Sequence, residues 1–154
     1  MFRRINALTS LLARAFRLRS EERRLALEAL AALAVAWLTL ALLPFPEAMR
    51  RLGLRAESGQ TAAKGPAVDP NIRDAVAVAV RRAGRIAPFR AVCLQKAVAA
   101  ALLLRRRAQP VEVHFGVARD GGGLGAHAWT MCGGLSVTGG EQRSAFTPIA
   151  VFMP

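Results

Sequence analysis

The 154-residue chain reads as an α+β protein in which helices come first and an antiparallel meander follows. Three observations predict this. Apolar residues recur at helical spacings of three and four through the first two thirds of the chain, and from residue 111 the period changes to two. Nine of the thirteen glycines then fall between residues 116 and 140, where they would separate short strands. Helices followed by strands, with no alternation of the two, is the α+β order.

The first element carries Phe2, Ile5, Leu8, Leu11, Leu12, Ala15 and Phe16 on one stripe, with Arg3, Arg4, Arg14 and Arg17 between them. It is an amphipathic helix with a basic face, solvated over a core stripe or, alternatively, laid on a membrane surface. Residues 25–43, LALEALAALAVAWLTLALL, form the longest apolar run, broken only by Glu28. A membrane span needs about 20 apolar residues. The run just reaches that length, it carries a charge, and arginines on both flanks give no orientation bias. These grounds favour a helix buried in the domain or docked on a partner, with a membrane span as the alternative. Pro44 and Pro46 end it, and residues 56–68 read as a linker rich in Gly, Ser and Ala. The expected division is therefore a helical region over 1–55, a linker over 56–68 and a core over 69–154.

Asp69-Pro70 opens the next helix, because Asp caps free amides and Pro fits the first helical position. Ile72, Val76, Ala79 and Val80 share one face up to Gly84. A further helix starts after Pro88, with Cys93, Leu94, Ala97, Val98, Ala101 and Leu102 as its apolar stripe, and runs to Arg105–Arg107 before Pro110. Val111, Val113, Phe115 and Val117 alternate with Glu112, His114 and Gly116 as a half-buried strand. Asp120-Gly121 and Gly133-Gly134 are the expected hairpin corners.

Composition bounds the function. The formal net charge of +12 is spread evenly, ten Arg against four acids in residues 1–55 and twelve basic residues against six acids in 56–154. Nucleic-acid binders gather charge on one face and interleave aromatics, whereas Tyr is absent here, so the charge speaks for solubility and an acidic partner. Two cysteines make no disulfide scaffold, and the start of the chain does not have the pattern of a secretory signal, so a free thiol in a reducing, cytoplasmic setting is the expectation.

Cys93 falls in the first turn of its helix. Only a thiolate attacks a carbonyl, and unpaired amides with the helix dipole favour an anion at such a place. Against this stands the bland reading of a small core residue on an apolar stripe. His127, in GAHAWTM, shares a strand face with Trp129, whose ring would shield the imidazole from water. A Cys opening a helix and a His on a following strand is the arrangement in which nucleophile and base meet in cysteine hydrolases. His114 and Cys132 read as bystanders. A metal site from Cys93, His114, His127 and Cys132 is disfavoured, because none of the four stands at ligand spacing from another.

The string FRAVCLQKAVAAALLLRRRAQPVEVHFGVARDGGGLGAHAWTMCGG, followed by FTPIAVF, resembles the transglutaminase-like leader peptidase of lasso-peptide clusters, the half that many bacteria split from its leader-binding partner. The resemblance covers residues 89–154. It implies a transglutaminase-like, papain-like core in which a Cys-bearing helix packs on the meander, with Cys93 as nucleophile, His127 as base and no cofactor or metal. It further implies removal of the leader from a ribosomally made precursor peptide, a small leader-binding partner protein, and an ATP-dependent cyclase acting downstream.

The family usually places an Asp about a dozen positions after the His, and this chain has none there. With a two-residue turn at Gly133-Gly134, Gly140 stands opposite His127 and Thr138 and Gln142 lie diagonally beside it. Glu141, the tentative third member, points inward only if a bulge at Gly139-Gly140 turns it. Gln142 and a backbone carbonyl are the other candidates. Two further functions stay open: an acyltransferase that shares the thioester intermediate, and a basic protein-binding or membrane-associated module without catalysis.

Overall fold

A computed structural model describes residues 20–57, 67–120 and 123–154. The amphipathic segment 2–16, most of the expected linker and Gly121 of the expected Asp120-Gly121 corner lie outside the described residues, and Asp120 itself is a strand residue paired with Gly123. Helix α1 spans Ser20–Leu42, α2 Phe45–Arg51, α3 Pro70–Ile86 and α4 Cys93–Arg105. Strand β1 is Arg55–Glu57, β2 Glu112–Asp120, β3 Gly123–Cys132, β4 Leu135–Thr138 and β5 Thr147–Met153, with a 3-10 helix over Gly140–Ala145 between the last two. The α+β order is therefore as expected.

The five strands form one antiparallel sheet in the order β1-β5-β2-β3-β4. Consecutive β2, β3 and β4 make the meander, and β5 returns to the far side of β2. Gly133 and Gly134 at φ 57° and 79° close the β3–β4 turn with Cys132 opposite Leu135, as the two glycines predict. Pairing then slips by one residue at Val137, so Thr130 faces Thr138 and β4 ends there. The expected alignment of Gly140 with His127 does not form. The bulge sits in β4 itself and not at Gly139-Gly140, because Gly139 at φ 70° turns the chain off the sheet into the 3-10 helix.

A single core joins all layers. Leu33 and Ala36 of α1, Val76 and Val80 of α3, Val98 and Leu104 of α4 and Val113 of β2 are fully buried within it. The α3 start follows its sequence: Asp69 Oδ1 accepts from the amides of Asn71 and Ile72 at 2.8 and 3.4 Å, with Pro70 at the first helical position. Pro44 and Pro46, expected only to end the long helix, also start α2.

Helix α1 is long and apolar enough to cross a membrane by length and composition. One face of it, Ala29, Ala32, Leu33 and Ala36, is nevertheless packed in the domain core, while Leu27, Val35, Leu38 and Leu42 are exposed. The boundary expected at residue 55 falls inside strand β1, which pairs with β5, so the helical region and the core are parts of one packed unit. Arg105 and Arg107 bind it further. The Arg105 guanidinium donates to the carbonyls of Leu52 and Gly53 at 3.0 Å each, and Arg107 donates to Glu28 of α1 at 2.6 Å.

Candidate active site

Helix α4 begins at Cys93 itself. Val92 precedes it in an extended conformation, and its amide donates to Gln95 Oε1 at 3.0 Å, which closes the entry to the helix. The first amide to reach a helical carbonyl is that of Lys96, bonded to Val92 O at 3.2 Å. The amides of Cys93, Leu94 and Gln95 thus have no intrahelical acceptor and stand beside a half-buried thiol. One turn further on, Thr130 Oγ1 of β3 donates to Ala97 O at 2.9 Å in a fully buried contact. This bond clamps α4 to β3 and sets the height of Cys93 against the strand that carries His127.

His127 pairs across the sheet with Gly116. A Cβ at Gly116 would lie 2.9 Å from both the Trp129 ring and Phe146 Cβ, so the absent side chain makes room for the rings around the imidazole. Trp129, 4% exposed, stacks on His127 at 6.0 Å and 23°, and Phe146 lies 5.0 Å from it at 34°. The shared face of His127 and Trp129 is as expected from alternation. His127 Nε2 is 2.7 Å from Gly139 O, twelve residues on. A carbonyl only accepts, so Nε2 carries the proton and Nδ1 of the neutral ring keeps its lone pair.

Cys93 and His127 line one cleft of about 580 Å³. Buried Val80 and Val137 contribute to its apolar lining, Arg81 and Lys96 enter from α3 and α4, and Glu141 and Gln142 enter from the 3-10 helix. A second cleft of about 490 Å³, between α1 and the end of α4, has neither Cys nor His, and its Glu28 is already paired with Arg24 and Arg107. Of these two clefts, only the one at Cys93 brings a thiol and an imidazole together among the described residues.

A family model described as Transglutaminase-like superfamily matches residues 39–151, taking in α2 to α4 and the whole sheet except its last residues. The chain belongs to the transglutaminase-like superfamily. That superfamily is generally enzymatic, with activity of the cysteine protease and acyltransferase type. No curated protein and no solved structure matches the chain.

In this transglutaminase-like core the position a dozen residues after the histidine, where the resemblance expects Asp, holds Gly139, and its carbonyl makes the bond to His127. Glu141, the tentative third member, is exposed at the cleft, and Gln142 beside it is exposed too; neither has a hydrogen bond to His127 among the described residues. His114 is not part of the cleft lining; it is held to Glu112 at 2.8 Å and stacks on Trp129 at 5.5 Å and 11°. It thus braces the ring that shields His127, a role the alternation pattern did not show. Cys132 is fully buried at the end of β3, where burial pushes its thiol up despite the nearby Arg73.

Proposed function

We propose that the chain is a cysteine peptidase that cuts the leader from a ribosomally made lasso precursor peptide, with Cys93 as nucleophile and His127 as base. The observation that carries this reading is the shared cleft, in which a thiol at a helix start stands with a histidine whose Nε2–H is held by Gly139 O. Nδ1 takes the thiol proton, and the thiolate sulfur bonds to the scissile carbonyl carbon. The oxyanion accepts from the free amides of the first turn of α4. As the C–N bond breaks, the imidazolium returns its proton to the departing amine. Water, deprotonated by the same imidazole, then cleaves the thioester and frees the leader carboxylate and the thiol. A small leader-binding partner protein delivers the precursor, and an ATP-dependent cyclase consumes the freed core amine.

The test incubates the chain with precursor and partner and reads product masses. Cys93→Ala abolishes cleavage and shifts Tm little, since one small side chain at a helix start is worth about 1 kcal/mol. Cleavage at wild-type rate by this variant would overturn the assignment. A product mass showing leader joined to an added amine would mark the acyltransferase alternative.

A further inference from the structure

Two cations share the cleft with Cys93 and His127: Arg81 from α3 and Lys96 from α4. Among the described residues neither has an ion-pair partner, although Arg24, Arg50, Arg51, Arg73 and Arg107 all do. Lys96 is half-buried, one turn along α4 from the thiol. Its stem is held against Gly84, where a Cβ would come 2.9 Å from Lys96 Cε. Arg81 stands one turn before Gly84 on the same face of α3. Among the described residues Glu141, on the 3-10 helix, is the one acid lining the cleft, and it makes no ion pair with either cation. Two unmatched positive charges beside apolar Val80 and Val137 create a place for an anion, where the apolar wall limits screening.

We propose that Arg81 and Lys96 form a specificity subsite for a carboxylate, so that the preferred substrate carries an Asp or Glu side chain within two residues of the cleaved bond. This rests on the peptidase reading above and adds the substrate's charge to it. Arg81 offers a flat fork of donors and Lys96 a point charge, a pair suited to the two oxygens of one carboxylate.

The experiment measures kcat/KM on precursors in which Asp, Ala or Lys replaces each of the two residues on either side of the bond. At one of these positions wild type should favour Asp over Lys by about tenfold or more, within the range of electrostatic selection. Arg81→Gln/Lys96→Gln should remove that preference, and Arg81→Glu/Lys96→Glu should reverse it toward Lys. Arg82→Gln, which removes one positive charge on the side of α3 away from the cleft, should leave it intact. A preference that survives in the double Gln variant, or none at any position, overturns the proposal.

A second measurement separates this from the peptidase reading. Iodoacetate and iodoacetamide attack the same Cys93 thiolate, so the ratio of their rates cancels thiolate population and reads only the charge around it. That ratio should fall several-fold in the double Gln variant and hold in Arg82→Gln. A flat ratio overturns the carboxylate subsite alone. A shifted ratio with no cleavage of any precursor overturns the peptidase reading, and with it the substrate preference, while leaving the anion site at Arg81 and Lys96 in place.

Discussion

A side chain at Gly139 would put its Cβ 2.8 Å from Ala128 O and 3.0 Å from His127 Nε2, in a backbone at φ 70° that favours glycine. Gly139→Ala should therefore displace the carbonyl that holds the imidazole and lower cleavage by about tenfold, the worth of one oriented hydrogen bond. Glu141→Gln and Gln142→Ala should stay within about threefold, as exposed changes without a bonded partner usually do. A large loss in Glu141→Gln with Gly139→Ala near wild type would instead make the carboxylate the orienting group. The placements of Cys93 at a helix start and of His127 beside Trp129 on one strand face were legible, because helix-start signals and alternation are carried by the letters themselves. Gly139 was not legible as a partner, since a backbone carbonyl has no side-chain signature. Its placement depends on the slip at Val137, which shifts the pairing by one residue.

Two contacts tie α4 and the loop that feeds it to α1. Phe89, in the loop that feeds α4, stacks on Trp37 of α1 at 5.1 Å and 24°. Such a pair is worth about 0.5–1.5 kcal/mol beyond its buried area. Phe89→Ala should loosen the approach to Cys93 and cut kcat several-fold, with a Tm loss of only a few degrees; an unchanged kcat would show that the loop is held elsewhere. At the other end of α4, the Arg107 hydrogen bond to Glu28 holds that carboxyl below its ordinary value, against the opposing effect of burial. A lowered carboxyl contributes stability that is present above its unfolded value and is lost as pH falls through the folded one. Tm should therefore drop more steeply in wild type than in Glu28→Gln as pH passes below about 4.3, and equal slopes would remove the pair from the stability account. Helix α1 itself was legible as an apolar helix, but its two-sided character was not. Leu, Val and Ala occur all round it, so composition alone did not distinguish the face buried on α3 and α4 from the exposed one.

At the scale of the whole molecule, the change of period at residue 111 was enough to read the helix-then-strand order, and the paired glycines were enough to read the β3–β4 turn. The edge strand β1 was not readable. Arg55, Ala56 and Glu57 are all exposed, with no alternation, and they become a strand only because β5 lies alongside. Native labelling of thiols gives a check on the packing of the whole unit. Alkylation of the folded protein should mark half-buried Cys93 and leave Cys132 untouched until denaturant is added, because burial both covers that thiol and keeps it protonated. Labelling of both at equal rates would mean that the core around Cys132 opens readily. The pairing of Arg55 with Met153 also has a kinetic meaning. The sheet cannot be completed until a segment from the far end of the chain finds its place between β1 and β2, and such distant pairing is slow compared with helix formation. On the ribosome, α1 to α4 can therefore collapse while β5 is still unmade, leaving Phe45 and Phe115 without the Phe152 ring that completes their cluster. During that interval the chain holds the helix that begins at Cys93 but an unfinished sheet, a natural delay between synthesis and a completed cleft around that thiol.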